Sequence, residues 1–206
     1  PTTNVPVFDL ENRSAGNSYK DISKYIYRQN VLNPYEEYSH GVYVQEQMDI
    51  SIVKVLVGLR QEWFTEILNK GTDKETQRET KAFIPRVGLV VEASENINLY
   101  STWVKGFQPQ GANIQSDPER YGGPFDYVKS ELHEIGLKTE WFNKRLNATI
   151  SVFKIKQENS LEQSAKTGKP DWRVPVDEES NGFEVDVAGR IAPNWSVVAN
   201  YAYTDA

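Results

Sequence analysis

Glu184 and Asp186 are separated by one residue, so both carboxylates lie on the same face if this segment is a strand. A pair of acids on one surface is the arrangement with which glycosidases protonate a leaving group and activate the attacking group. No feature of the sequence places a substrate cleft beside this pair. The sequence also contains no glycine-rich phosphate loop, no nucleophile elbow and no metal-ligand spacing, and its histidines are only His40 and His133. We therefore do not expect an enzyme.

The composition excludes several other classes of protein. A net charge of -6 over 206 residues argues against a nucleic-acid partner, and the absence of cysteine excludes disulfides and thiolate metal sites. No apolar run approaches the roughly 20 residues of a membrane-spanning helix. A membrane β-barrel stays open, because its strands hide apolar residues in alternation and its interfaces are rich in aromatic residues, here 11 Tyr and 5 Trp.

The elements that carry these residues are predicted to be β-hairpins. The clearest hairpin runs from Lys129 to Lys156 and turns at Asn143-Lys144-Arg145. Its apolar face carries, in alternation with small, polar or charged residues, Ile135, Leu137, Trp141, Leu146, Ala148, Ile150 and Val152. The same alternation predicts strands at Tyr38–Met48, Val53–Phe64, Lys81–Ala93, Ile97–Gly106, Phe183–Ala188 and Trp195–Tyr203, although Pro85 is unfavourable inside a strand.

Short and long connections alternate along the chain. The short turns are predicted near Ile50, Asn96, Lys144 and Pro193, and the long polar loops at about 1–33, 66–80, 107–128 and 157–178. Strands of about ten residues, with Trp63, Trp103, Trp141 and Trp195 at their ends, suit a tilted crossing of a bilayer. The pattern favours an all-β antiparallel transmembrane β-barrel, with long extracellular loops and short periplasmic turns, over a soluble sandwich. A secreted β-rich carbohydrate-binding or adhesion module, soluble without detergent, stays open as an alternative.

Four runs of the sequence resemble the barrel domain of TonB-dependent siderophore receptors. These runs are GVYVQEQMDISIVKVLVGLRQEWF (41–64), FIPRVGLVVEASENINLYSTWVKGFQP (83–109), ELHEIGLKTEWFNKRLNATISVFKIKQEN (131–159) and SNGFEVDVAGRIAPNWSVVANYAYTDA (180–206). The resemblance covers all four hairpins in order, and the long loops fall where the family has variable extracellular loops. It implies about eight strands of a 22-stranded barrel that encloses an N-terminal plug domain.

We expect residues 1–206 to be part of a single such barrel domain, with the plug and the TonB box outside the chain. No signal peptide begins at Pro1, so we also expect the beginning of the gene product to be missing. The resemblance implies an outer-membrane protein of a Gram-negative bacterium that imports a ferric siderophore with energy from TonB and has no covalently bound cofactor.

The siderophore is expected to bind aromatic and polar side chains in a concave site at the loops. The candidates are the loop aromatics Tyr121, Phe125, Tyr127 and Trp172, together with Phe107 at a strand exit. Charged residues on the polar phase could contact the plug, or simply line a wet lumen: Lys54, Arg60, Glu62, Glu134, Lys138, Glu140, Glu184 and Asp186. Further expected partners are TonB, through a motif outside this chain, and outer-membrane lipid.

Overall fold

A computed structural model describes residues 33–164 and 168–206, so nearly all of the loop predicted for 1–33 lies outside the described residues. The described part contains eight strands and two single-turn helices. The strands are β1 (Tyr35–Ile50), β2 (Val53–Leu68), β3 (Thr76–Ser94), β4 (Ile97–Gln108), β5 (Val128–Trp141), β6 (Leu146–Gln163), β7 (Arg173–Ala192) and β8 (Trp195–Asp205). The helices α1 (Ala112–Gln115) and α2 (Pro118–Tyr121) lie between β4 and β5. Within the described ranges, no helix is long and apolar enough to cross a membrane.

The strands form one sheet in which each strand pairs with its neighbour in sequence, in the order β1 to β8. All seven pairings are antiparallel. Short turns join the strands at one end of the sheet, the turn end: three have two residues, as at Glu95–Asn96, and the turn between β5 and β6 has four (142–145). Segments 69–75, 109–127 and 164–172 connect the strands at the opposite end, the loop end. The prediction of an all-β antiparallel sheet with alternating short and long connections is confirmed.

The register places the predicted apolar residues on one face of the sheet. Directly opposed residues of an antiparallel pair point to the same side. Leu137 lies opposite both Leu99 and Ile150, Ile150 lies opposite Val185, and Val185 lies opposite Tyr201. This face, the outward face, is therefore continuous from β4 to β8, as the alternation in the sequence predicts.

Glycines on the opposite, inward face accommodate large side chains from the next strand. Gly58 lies opposite Arg86, Gly136 opposite Tyr100 and Gly182 opposite Phe153. A Cβ atom built on Gly136 would lie 2.4 Å from the Tyr100 ring. The missing side chain lets the ring lie flat across the neighbouring strand, which is a recurring way to stabilise a glycine within a sheet.

Two of the predicted long loops are shorter than expected. The loop predicted at 157–178 is wrong over most of its length, because β6 continues to Gln163 and β7 begins at Arg173. Likewise, much of the stretch 66–80 is strand, and only 69–75 connects β2 to β3. In both places polar residues occupy the two faces, so the sequence lacks alternation. Backbone pairing nevertheless continues in β2 and β3 to Leu68 and Thr76, and in β6 it continues past a bulge between Gln157 and Ser160.

The prediction that four tryptophans end their strands is wrong for two of them. Trp141 and Trp195 are terminal strand residues, but β2 continues beyond Trp63 to Leu68 and β4 continues beyond Trp103 to Gln108. Beyond this level the outward residues become charged, as in the pairs Lys105–Glu131 (3.9 Å), Lys129–Glu158 (3.7 Å) and Lys156–Glu179 (3.8 Å). The apolar, membrane-facing part of the sheet therefore ends near Trp63 and Trp103, and the strands extend past it.

Pro85 lies inside β3, where the sequence made a strand doubtful. It is opposite Leu59 of β2, but the pairing of β3 with β4 reaches only Arg86, which lies opposite Val104. The residue thus lies just past the end of one ladder, where a missing N–H group costs least.

Candidate functional site at the loop end

The loop between β4 and β5 is built from local signals that the sequence carries. Asp117 caps α2 by accepting a hydrogen bond from the backbone N–H of Arg120 (3.2 Å), and Pro118 occupies the first turn. Gly122 ends the helix with φ of 98°, a left-handed conformation that favours glycine. These caps give the loop a defined path across the sheet.

Gln115 anchors this loop through a buried amide. Its side-chain oxygen accepts from the N–H of Phe125 (2.9 Å), and its side-chain nitrogen donates to the carbonyl of the same residue (2.7 Å). Arg78 of β3 donates to that carbonyl as well, at 3.1 Å. Gln115 is 4% exposed and Phe125 is 8% exposed. Because buried amides left without partners are costly, these bonds hold the segment firmly against β3.

Two further amides connect the loop to β6. The side chain of Gln110 donates to the carbonyls of Asp126 (3.1 Å) and Asn159 (2.7 Å). The side chain of Asn159 donates to the carbonyl of Tyr127 at 3.2 Å. The sequence did not point to these residues, because isolated Gln and Asn among Gly and Pro read as solvated loop.

Three of the predicted site residues meet at one place. Phe107 contacts Phe64 of β2, with ring centroids 6.0 Å apart, and Tyr127, with centroids 4.9 Å apart, both edge to face. Phe107, Phe125 and Tyr127 also line a small cavity together with Phe64. Such edge-to-face pairs add to the burial of the rings, so this group forms a packed aromatic platform.

The other two predicted residues, Tyr121 and Trp172, lie beside this platform where two loops meet. The Trp172 ring packs on Gly122, since a Cβ atom there would lie 2.7 Å from the indole. Arg120 joins Asp171 through two contacts of 2.7 Å and covers the Tyr121 ring at 5.0 Å. Lys169 donates to the carbonyl of Glu119 and lies 4.5 Å from the centre of the Trp172 ring.

The five candidates therefore differ in exposure. Phe125 is buried, whereas Tyr121, Tyr127, Trp172 and Phe107 are half-buried. The segment Gly122-Gly123-Pro124 is bordered by Trp172 on one side and by the anchored Phe125 on the other. The loop end is thus a packed surface with aromatic edges.

An acidic side chain lies beneath the platform. Glu66 follows Trp63 on β2, beyond the membrane-facing part of the strand, and is 3% exposed. It lies opposite Arg78, yet its Oε1 atom and the Nη1 atom of Arg78 lack hydrogen-bond partners. Burial raises the pKa of the Glu66 carboxyl, although the charge of Arg78 opposes the shift.

The eight charged residues predicted on the polar phase all lie on the inward face of the sheet. Arg60 pairs with Glu62 at 2.5 Å, and Lys54 pairs with Glu92 at 3.2 Å. Glu184 and Asp186 lie opposite Ser151 and Thr149 of β6. Several of these charges therefore form ion pairs within the sheet, and Glu184 and Asp186 have polar neighbours on β6.

Comparison with known proteins identifies the family. The family described as "TonB dependent receptor-like, beta-barrel" matches residues 2–206. The ferric-pyoverdine BN7/BN8 receptor of Pseudomonas putida is 29% identical over 136 residues, which cover 65% of this chain and 16% of that protein. The catecholate siderophore receptor Fiu of Escherichia coli K12 is 31% identical over 132 residues, covering 59% of this chain and 16% of that receptor. The chain therefore spans about a sixth of the length of these two relatives.

Solved structures agree in fold. The ferripyoverdine receptor of the outer membrane of Pseudomonas aeruginosa, bound to ferripyoverdine, superposes with a TM-score of 0.69 at 22% identity over 82% of this chain and 23% of that chain. The alcaligin outer-membrane receptor FauA of Bordetella pertussis gives 0.63 at 21% identity, over 82% of this chain and 30% of that chain. Neither comparison supports a secreted carbohydrate-binding or adhesion module. The chain belongs to the TonB-dependent receptor family, whose β-barrels lie in the outer membrane of Gram-negative bacteria.

Proposed function

We propose that this chain supplies strands and loops to an outer-membrane receptor that binds a ferric siderophore at its loop end and imports it with energy from TonB. The aromatic platform carries this proposal, because a receptor for a large chelate needs a rigid concave surface with aromatic and polar groups. Relatives named as pyoverdine and catecholate receptors support the same class of ligand. No catalytic step is required, since the ligand is only bound and moved.

The five candidate residues divide into two roles in this proposal. Tyr121, Tyr127 and Trp172 contact the ferric siderophore, because their rings keep part of their surface open at the loop end. Phe107 and Phe125 support them from below through the contacts with Tyr127 and Gln115. The loops lie outside the cell, where the siderophore arrives, and the turns lie in the periplasm.

The partners follow from this role. TonB engages a motif outside this chain, outer-membrane lipid contacts the outward face, and the receptor's own plug domain fills the lumen. The inward charges that retain exposure, such as Asp186 and Lys138, are available for ion pairs with the plug.

The full-length receptor in detergent provides the test, with iron-55-loaded pyoverdine and an iron-55-loaded tris-catecholate as probes. We expect one of the two to bind, and Trp172→Ala to raise its Kd about tenfold, because a buried aromatic contact is worth about 1–3 kcal/mol. Trp195→Ala is the matched control, since Trp195 lies at the turn end. Binding of neither chelate would contradict the proposed ligand class, and equal affinities of the two variants would remove Trp172 from the site.

A further inference from the structure

Arg78 of β3 lies between the loop of residues 109–127 and the buried Glu66 of β2. One nitrogen of its guanidinium, Nη2, donates a hydrogen bond to the Phe125 carbonyl at 3.1 Å. The other, Nη1, is buried without a hydrogen-bond partner, and so is the Oε1 atom of Glu66. The two residues are directly opposite in the register, where Cβ atoms are about 4.5–5.5 Å apart. The guanidinium position that reaches Phe125 therefore leaves Oε1 of Glu66 unpaired.

Both residues border a small cavity beneath the aromatic platform. Its volume is about 10 Å³, and Phe64, Phe107 and Tyr127 line part of its wall. A polar cavity of this size has room for about one water molecule. It cannot hydrate an ionised carboxylate as bulk water does. A charge on Glu66 is therefore balanced mainly by the neighbouring guanidinium, if that group moves toward β2.

One cation faces two carboxylates around Glu66. Across β1 the opposed residue is Glu37, and across β3 it is Arg78. On the same face of β2, the carboxylate of Glu62 is already held by an ion pair of 2.5 Å. The loop contributes the titratable Tyr127 to the cavity, and its other residues there are uncharged. Burial raises the pKa of Glu66, Arg78 opposes this shift, and Glu37 adds to it.

We propose that Glu66 is a positioning residue for the siderophore site, because its protonation state decides whether Arg78 holds the Phe125 carbonyl. The inference rests on the proposed function, which supplies the ligand. A neutral Glu66 leaves the guanidinium on Phe125, as in the structure. An ionised Glu66 accepts a hydrogen bond from Arg78 and draws the guanidinium away from the loop, since hydrogen bonds between charged groups are stronger than those to a carbonyl.

The effect reaches the ligand site through Tyr127, which follows Phe125 by two residues. When Arg78 moves away, Gln115 alone holds Phe125, and the Tyr127 ring loses part of the support that keeps it against Phe107. Loops in this looser state have to close before a chelate binds, which weakens the apparent affinity. The affinity is therefore highest with Glu66 protonated and falls as the pH rises through its raised pKa.

The pH dependence of siderophore binding to the full-length receptor in detergent tests this role. The Kd of whichever iron-55-loaded chelate binds is measured at about pH 5.5 and about pH 7.5. A pKa difference of about half a unit between the two loop states changes the affinity about threefold. The increase in Kd with pH should thus be at least about threefold larger in the wild type than in Glu66→Gln, which mimics the neutral acid. Titration of the chelate itself is common to both proteins and cancels, and equal increases would overturn the proposal.

Two further variants separate Glu66 from acids in general. Glu62→Gln is the matched control, because Glu62 is also a buried acid on the inward face of β2, at 6% exposure. It should keep the wild-type pH dependence, since Ser39 and Arg60 bind its carboxylate. Arg78→Gln should bind more weakly at the lower pH and show the small pH dependence of Glu66→Gln. A wild-type pH dependence in Arg78→Gln would overturn the part assigned to the guanidinium.

Hydrogen exchange in the ligand-free receptor distinguishes this inference from the proposed function. After correction for the intrinsic effect of pH, peptides covering residues 122–128 should exchange at least about threefold faster at the higher pH in the wild type, because the looser loop opens more often. In Glu66→Gln the corrected rates should be equal. This difference without binding of either chelate would contradict only the ligand class. Chelate binding together with pH-independent exchange in the wild type would contradict only the role of Glu66.

Discussion

The inward faces of two parts of the sheet, β2 to β4 and β6 to β7, differ although their outward faces are alike. In β2 to β4 the inward series mixes the apolar Leu56, Ile84 and Val104 with charged residues such as Arg60, whereas β6 and β7 carry Thr149 and Asp186 at inward positions. Both parts of the sheet carry apolar residues at every second position on the outward face, which is the pattern of lipid contact. The outward residues thus follow one requirement, contact with lipid, whereas the inward residues change in character along the sheet.

The largest effect should come from charge on the outward face. Ile150 and Thr149 are neighbours in β6 that point to opposite sides. We expect Ile150→Arg to lower the free energy of unfolding of the full-length receptor in phospholipid vesicles by about 2–4 kcal/mol, because an arginine near the bilayer midplane faces lipid. Thr149→Arg should cost much less, since Asp186 lies opposite in the lumen. Equal losses would show that the two faces are assigned wrongly.

A smaller effect should separate two inward glycines. Gly136→Ala forces the Tyr100 ring away and breaks its hydrogen bond to Glu134, so we expect a loss of about 1–3 kcal/mol. Gly88→Ala is the control, because its Cβ atom would meet only Leu56 at a normal contact distance. Urea unfolding of both variants measures this. A larger loss in Gly88→Ala than in Gly136→Ala would contradict the role of Gly136 in making room for the Tyr100 ring.

The smallest effect concerns pH at the loop end. Burial raises the pKa of Glu66 above its ordinary value of 4.5, so the folded state favours the protonated form. The contribution of Glu66 to stability is therefore complete below that ordinary pKa and is lost as the pH rises through the raised value. Glu66→Gln should reduce the change in Tm between about pH 5 and about pH 7.5. The exposed Glu119→Gln should keep the slope of the wild type, and a slope also kept by Glu66→Gln would contradict this role.

The membrane-facing part of the fold could be predicted from the sequence because lipid demands apolar residues at every second position. Leu137 and Ile150 are found on one face for this reason, and the turns at Asn96 and Lys144 follow from where the alternation stops and resumes. The parts of β6 and β7 nearest the loop end could not be predicted in this way. Both of their faces carry polar residues, and backbone pairing leaves no periodic signal in such a segment.

The loop-end site was predictable in its residue types but not in its contacts. The aromatics and the Asp117-Pro118 start of α2 are visible in the sequence. The roles of Gln115 and Gln110 are not, because whether an amide is buried depends on the tertiary path of the loop. The pairing of Arg120 with Asp171 joins two loops far apart in sequence, and nothing local to either residue signals it.

The most direct test of the account is the orientation of the sheet in the membrane. Asp73 lies in an exposed loop at the loop end and Asn96 in an exposed turn at the turn end. Asp73→Cys and Asn96→Cys, each introduced into the full-length receptor, should be treated on intact cells with a maleimide that cannot cross the outer membrane. The account predicts labelling at position 73 and protection at position 96, and labelling at position 96 alone would contradict it.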